Sequence, residues 1–398
     1  MNKKTIIAIV ILILSISITI LLCSILKNIK DPSGITISKN DISVQAENVN
    51  IKDIKDEMFM PLFFKNDLVT GKLQSTLTEY NIDEFEKSYP CDGSKANLYS
   101  ISEKNKAIKT SLIASDGITS IGSKNKFVRQ SKDGKISYIN YDKSENEIVL
   151  DNYIEPIQDN ITNCTISFLD GNDNYLVTYI TDICENNSTI IKIYDINEKK
   201  LYSSDNLEHP IYNTFFIKYM DSIMAMDTSG QLYKIILSDN KVNIEKKQKL
   251  SINSLENTIG FNSIKVINDT EILILNRNTD PTINNIITKY NFKTRKTTPL
   301  LKTNKTDASV WVTDINADGS LIVLEKGINN INKGLLLNEM YFAKVSRDSL
   351  DVFYNTTMEN NTFNYYSLSD NGKSIFITTT SWNSKNNNSY SYKKYTIK

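Results

Sequence analysis

One stretch of the chain carries a spacing that chemistry uses. Asp314, Asn316, Asp318, Gly319 and Glu325 fit the calcium-loop pattern D-x-[DN]-x-[DN]-G-x5-E. In such a loop alternate oxygens converge on one ion, and the glycine allows a sharp turn. The flanks do not suit an EF-hand. Ser309-Val-Trp-Val312 before it and Leu321-Ile-Val-Leu324 after it are strand-like, not helical. The stretch therefore reads as a hairpin turn, with a calcium-stapled turn as the alternative. His209 is the only histidine and Pro210 follows it, which reads as a loop between repeats. A Ser-His-Asp arrangement lacks the G-x-S-x-G elbow. No H-E-x-x-H, Walker A or G-x-G-x-x-G motif occurs either. Carboxylates such as Asp173, Asp182, Asp221 and Asp227 offer pairs for glycoside hydrolysis. That chemistry needs two of them facing one cleft, which spacing alone does not establish. No residue is assigned a catalytic, cofactor-binding or metal-binding role, and no cofactor is expected.

Four cysteines, Cys23, Cys91, Cys164 and Cys184, form no C-x-x-C pair, so zinc-ribbon and thioredoxin-type chemistry find no support. Cys164 and Cys184 share one repeat and are the candidates for a disulfide. The simpler reading leaves them as free, apolar packing residues.

The elements that would position these groups are strands. Thr162–Leu169, Tyr175–Ile180, Thr189–Ile196 and Leu201–Ser204 are short runs rich in β-branched and aromatic residues, with Asp170-Gly171-Asn172-Asp173 as the first turn. Similar units recur. Lys126–Tyr141 forms a hairpin around Asp133-Gly134, Tyr212–Lys247 turns at Asp227–Gly230, and Ser263–Asn291 turns at Asn268–Thr270. The spacing between equivalent turns is roughly 40–55 residues, the range of propeller blades. Helical periodicity nearly vanishes after residue 30. The reading is an all-β chain, a β-propeller of about seven blades with six or eight as alternatives, over residues 57–398. The final repeat lacks a fourth strand, and 44–51 within the 27–56 linker is placed to supply it and close the ring. The alternative for that segment is a flexible stalk.

The N-terminus differs in kind. Residues 1–4 are a short tail, and Thr5–Leu26 is an uncharged run dominated by Ile and Leu, closed by Lys27 and Lys30. About 20 apolar residues span a bilayer. A transmembrane signal-anchor over 5–26 with the N-terminus cytoplasmic is the first reading. Alternatives are a lipoprotein using Cys23, against which stands Leu22 where a small residue is wanted, and a cleaved signal peptide, whose apolar core is usually shorter. All three place the body outside the cytoplasm. Beyond residue 30 the chain holds 42 basic and 46 acidic residues. This slightly acidic balance argues against nucleic acid as a partner, since phosphate binding needs a concentrated basic surface.

Asn316-Ala-Asp318-Gly319-Ser-Leu-Ile-Val-Leu324 and Ser369-Asp370-Asn371-Gly372-Lys-Ser-Ile-Phe-Ile377 resemble the S-P-D-G-K-x-I-x-F turn of TolB-like, WD40-related propellers. Ala317 and Asp370 stand where Pro is usual, and the W-D dipeptide of true WD40 repeats is absent. The resemblance implies an interaction platform. The expected function is that of a non-catalytic, single-pass, extracytoplasmic propeller binding a protein or a cell-envelope glycan. The alternatives are a glycan-active enzyme built on the propeller and a sensor or regulatory ectodomain.

Overall fold

The computed structural model describes residues 35, 37 and 42–398, apart from 53, 55–56, 66–67, 76–94, 102–104, 116–118, 122–125, 131–135, 141–147, 151–162, 183–187, 206, 208–210, 228, 251–261, 278–284, 304–307, 331–334, 347–348, 359–361 and 383–387. The expected membrane span 5–26 lies outside the described residues, as do His209, Cys23, Cys91 and Cys184. Among the described residues no helix is long and apolar enough to cross a membrane.

The chain is a series of short antiparallel meanders. β1 (Val44–Val49) comes first. β2 (Glu57–Lys65), β3 (Leu68–Ser75), β4 (Lys95–Ile101) and β5 (Ala107–Ser115) pair in that order, and β6 (Thr119–Ile121), β7 (Lys126–Gln130), β8 (Ile136–Asn140) and β9 (Ile148–Leu150) form the next sheet. β10 (Asn163–Leu169), β11 (Asn172–Asp182), β12 (Ser188–Asp195) and β13 (Lys200–Ser203) make another meander. So do β14 (Ile211–Ile217), β15 (Ser222–Asp227), β16 (Gln231–Ser238) and β17 (Lys241–Lys249). A single parallel bridge, Ser203 to Lys241, joins the outer strands of these two into one eight-stranded sheet. β18 (Asn262–Asn268), β19 (Glu271–Asn276), β20 (Asn285–Asn291) and β21 (Lys296–Lys302) follow, then β22 (Ala308–Ile315), β23 (Leu321–Asn330), β24 (Leu335–Val345) and β25 (Leu350–Met358). The last sheet has β26 (Thr362–Leu368), β27 (Ser374–Trp382) and β28 (Asn388–Ile397), with β1 as its outer strand.

Where side chains are described, neighbouring meanders pack face to face, and the last packs on the first. Leu273, Leu275 and Ile287 meet Val312, Ile322 and Tyr341 in one such layer; Phe342 and Phe353 meet Ile375, Ile377 and Tyr395 in another. Phe59 and Phe64 of the first sheet meet Phe376 of the last. This circuit of radial sheets is a β-propeller.

The sequence pattern follows from position in the sheet. Second strands are covered on both faces by neighbouring sheets, so they read as apolar runs: Ser-Ile-Met-Ala-Met-Asp in β15 is buried throughout, and Ile272–Asn276 in β19 likewise. Outer strands are the least covered, and two of them are largely open to water. β17 carries Glu245, Lys246, Lys247 and Lys249, and four of the six residues of β1 are exposed. A strand buried on both faces cannot alternate polar and apolar residues.

The turns after the inner strands also touch the neighbouring sheet. Gly319 has φ +75°, and a Cβ there would lie 2.5 Å from Ile267 Cγ2 on β18. Gly171 has φ +85°, and its Cβ would meet the Phe216 carbonyl oxygen at 2.6 Å. Glycine therefore satisfies two demands at once, left-handed backbone and close approach.

At the junction of the last and first sheets, Thr378 Oγ1 donates to the Phe59 carbonyl at 2.8 Å and the Tyr392 hydroxyl accepts the Phe59 N–H at 3.2 Å. β1 runs antiparallel to β28, with Val44 opposite Ile397 and Val49 opposite Tyr392. Ser43 and Lys398 exchange backbone bonds of 3.2 and 2.9 Å at its end. Ile51 leaves the strand and is buried against Phe59 and Phe376. Deleting residues 42–52 removes a strand and the Ile51 plug, and bares the β28 edge. The melting temperature should fall by on the order of 10 °C in calorimetry. An unchanged value would mean that the segment is a stalk.

Candidate functional site

The innermost strands, β2, β10, β18, β22 and β26, run toward one end of the ring, and a cavity of about 220 Å³ lies there. Its apolar wall comes from Phe63 and Phe64 of β2, Phe168 of β10 and Leu368 of β26. Its polar wall comes from Asp170 and Asp173, Lys265, Asp314 and Asn316, and Asp370. The inner strands converge on the axis, so side chains far apart in sequence meet where the strands end.

The carboxylates are held in different ways. Asp170 is fixed from β18, the inner strand of the repeat after next: Lys265 Nζ donates to Oδ1 at 2.7 Å, and the Val266 N–H donates to Oδ2. Its carbonyl accepts the Phe216 N–H at 2.8 Å. Asp370 stands exposed at the rim, and its N–H donates to the Phe64 carbonyl at 3.3 Å. Partial burial raises the Asp370 carboxyl, Lys65 opposes this, and Asp318 adds to it.

Asp314 is the perturbed group. Burial pushes its carboxyl up to about 6, against the opposing pull of Arg277, the Ile315 N–H and Lys265. Oδ1 accepts the Ile315 N–H at 2.8 Å. The surface that Asp314 retains faces the cavity that it lines. Arg277 is itself enclosed, and burial lowers its affinity for its proton while Asp314 restores part of it. The guanidinium donates from Nε to Ser263 Oγ at 2.8 Å and from Nη1 to the Thr313 carbonyl at 3.0 Å. It approaches Asp314 without closing a direct ion pair.

The calcium-loop spacing does not gather around an ion. Asp318 Oδ1 accepts the Ser320 N–H at 2.9 Å and the Ser320 hydroxyl at 2.6 Å, while Asn316 Oδ1 accepts the Leu321 N–H at 2.8 Å. These oxygens bind their own turn. Glu325 lies up β23 opposite Trp311, accepting from Asn364 at 3.0 Å and from the Tyr366 hydroxyl. Among the described residues no group of three His, Cys, Asp or Glu could hold a metal ion.

The carboxylates singled out in the sequence scatter. Asp173 lines the cavity. Asp227 ties its turn, accepting from the Ser229 N–H at 2.8 Å, the Gln231 N–H at 3.0 Å and the Tyr233 hydroxyl at 2.8 Å. Asp221 caps the 3-10 turn Lys218–Met220 with φ 45°. Asp182 ends β11, and Cys164 sits on β10 opposite Ile180. Asp170, Asp314 and Asp370 read as turn residues in the sequence. Their common feature is an aspartate at the end of an inner strand, in repeats that rotation about the axis brings together.

Two expectations follow. The Asp314 carboxyl titrates near 6 in the folded chain against 3.8 for an unperturbed group. Between these values the folded state holds a proton that the unfolded chain has released, so stability falls as pH rises through the window and is level above it. Asp314→Asn should therefore stabilise the fold at pH 8, by on the order of 2–3 kcal/mol or a few degrees of melting temperature, with the gain vanishing near pH 4. A melting temperature lowered at pH 8 would contradict the ionised, strained carboxylate. EGTA should leave the melting temperature unchanged, and a drop would restore the calcium-stapled turn.

No family model matches the chain, and no curated protein is similar to it at a significant level. Solved structures do align. The WD40 domain of Toxoplasma gondii coronin matches at 6% identity and TM-score 0.46, covering 92% of this chain and 88% of that one. The WD40 β-propeller domain of Doa1 matches at 12% identity and TM-score 0.46, covering 89% and 97%. A protein from Lactobacillus plantarum matches at 12% identity and TM-score 0.38, covering 74% and 90%. The chain is a β-propeller by its own circuit of packed sheets.

Proposed function

We propose that the protein is a membrane-anchored, extracytoplasmic interaction platform whose seven blades form a closed ring and whose mouth engages a protein partner. The blade number rests on the meanders themselves, with the eight-stranded sheet counted as two because one bridge joins its halves. The anchor rests on the apolar run Thr5–Leu26 with its flanking lysines.

The observation that carries the reading is the cavity where the inner strands end. Rigid sheets hold its walls, a setting that favours binding over flexible recognition. Its size decides the class of occupant. At about 220 Å³ it is smaller than the ~300–1,000 Å³ of small-molecule pockets. It suits one side chain of a larger partner and is too small for a run of sugar rings.

The raised carboxyl of Asp314 favours a second reading, glycoside hydrolysis, because that chemistry uses one protonated and one ionised carboxyl. The rest of the site does not support it. Asp170 is occupied by Lys265 and the Val266 amide, and burial pushes Asp370 in the same direction as Asp314.

The full chain, tagged at its C-terminus, is expressed in its own cells and treated with a short membrane-impermeant cross-linker. Recovery of one protein in stoichiometric amount is the expected result. Wall glycan as the only product would favour the hydrolase. Failure of the impermeant reagent to label the chain at all would overturn the extracytoplasmic placement.

A further inference from the structure

We infer that the outer edge of the sheets β14–β17 and β18–β21 is a docking surface for an anionic lipid bilayer, so that the ring stands on its rim at the membrane and its mouth opens sideways. This rests on the anchor of the platform reading and adds how the ring sits above it.

Positive charge gathers on one arc of the rim. β17 carries Lys241, Lys246, Lys247 and Lys249 against one acid, Glu245, and all five are exposed. Glu245 pairs with Lys247, and Asp205 lies 3.9 Å from Lys241. On the next sheet the β20–β21 turn and β21 carry Lys293, Arg295, Lys296 and Lys302, all exposed, with no acid between 293 and 302. The chain beyond residue 30 is slightly acidic, so this arc is a local excess and does not follow from composition. Lysine on an outer strand also keeps that edge from pairing with another chain, which alone would account for it. The other outer strands face the same hazard without such a run. β1 and β25 hold one acid each, Glu47 and Asp351; β5 and β13 hold one lysine each, Lys109 and Lys200; β9 has no charge. The two halves of the arc are joined. Leu250, just after β17, is buried in one cluster with Tyr290 of β20 and Phe292 beyond it, and Gln248 Nε2 donates to the Tyr290 hydroxyl.

The N-terminal segment joins the ring beside this arc. Ile35 is buried in one cluster with Leu301 of β21 and Val352 of β25, and Ile37 bridges Val352. The apolar run ends at Leu26, nine residue steps before Ile35. Those steps reach about 32 Å at most, so a bilayer that holds 5–26 lies within that distance of the end of β21. Basic side chains near an anionic surface each add to the attraction, and the field fades within a Debye length of about 8 Å at physiological salt. A tether this short makes docking an intramolecular step, with an effective concentration on the order of millimolar, so several weak charge contacts are enough. Outer strands look away from the ring axis. Contact through them lays that axis along the membrane plane, and the mouth, at the end of the inner strands, faces along the surface and not into it.

The full chain is placed in nanodiscs of phosphatidylcholine, alone or mixed with phosphatidylglycerol. A photo-crosslinking benzoylphenylalanine replaces Thr294 in the basic turn or Ile108 on β5, both exposed. Lipid adducts should form at Thr294 and not at Ile108, about tenfold more in the anionic discs, and the excess should vanish in about 1 M salt. Lys293→Gln, Arg295→Gln, Lys296→Gln and Lys302→Gln combined should abolish the excess. An equal loss of charge at exposed sites elsewhere, Lys52→Gln, Lys109→Gln, Lys373→Gln and Lys393→Gln, should leave it unchanged. Both sets alter only exposed side chains, and an unchanged melting temperature checks that each folds. Equal adducts in the two lipids, adducts at Ile108 as abundant as at Thr294, or an excess that survives the first set would each overturn the surface. So would cross-linking of Thr294 to added polyphosphate in place of lipid. Carbonate extraction reports the anchor separately. If the chain resists extraction and Thr294 labels no lipid, this proposal falls and the anchor stands. If carbonate extracts the chain, co-sedimentation with added phosphatidylglycerol vesicles decides. Binding that the first set abolishes keeps the surface and drops the anchor, and no binding drops both.

Discussion

The sheets whose side chains are described have apolar faces that none of them can cover by itself. Stability therefore depends on a circuit of mutual burial with no free end. Phe59 and Phe64 against Phe376 close that circuit as much as any interior layer does. The same requirement fixes composition. It makes β15 and β19 apolar throughout and leaves β17 and β1 charged or polar, because burial falls from the second strand outward. Some polar groups within the layers pair across sheets. The Tyr179 hydroxyl accepts the Thr214 N–H at 2.8 Å and shares a hydrogen bond with the Thr214 hydroxyl, and burial pushes its phenol up to about 12.

The mouth follows from the same geometry. Inner strands that must pack side by side around an axis bring their ends together, so a residue repeated at that position is concentrated at one point. Ties between sheets gather there: Asp170 reaches Phe216 on the next sheet and Lys265 and Val266 on the one after it, and Asp370 reaches Phe64. These bonds make the cavity wall rigid. Asp314 is the exception, a carboxylate kept at a cost to the fold. Groups that lower stability while facing a cavity are where function and folding part company.

The strand-and-turn pattern was legible because turns need Gly, Asn and Asp for backbone reasons that act locally. Gly171 and Gly319 mark real hairpins, and the Asp314–Glu325 stretch is a hairpin. Boundaries drifted where packing overruled local signals. β11 begins at Asn172 inside the expected turn, and a 3-10 turn at Lys218–Met220 interrupts what read as one long strand. The site was much less legible. Asp170, Asp314 and Asp370 lie up to 200 residues apart, and only the rotation between sheets places them together. The calcium-loop alternative does not close for a related reason. Five residues of extended chain carry Glu325 well away from the turn, roughly 3.4 Å per residue.

The N-terminal segment does more than complete a sheet. Ile35 is buried in the layer between the β18–β21 and β22–β25 sheets, Ile37 bridges Val352 on β25, β1 lies along β28, and Lys52 bridges Lys106 near β5. The chain thus passes over the outer edges of three successive sheets before entering the first one. Any pull on the chain upstream of Ile35 is delivered to the perimeter, and it must draw out Ile35 and break the Ile37 bridge before it reaches Val44. There it meets the bonds between Ser43 and Lys398, so the start of β1 and the end of β28 are tied at one joint. Tension is spread along the rim like the strain in a hoop, and the mouth is left mechanically quiet.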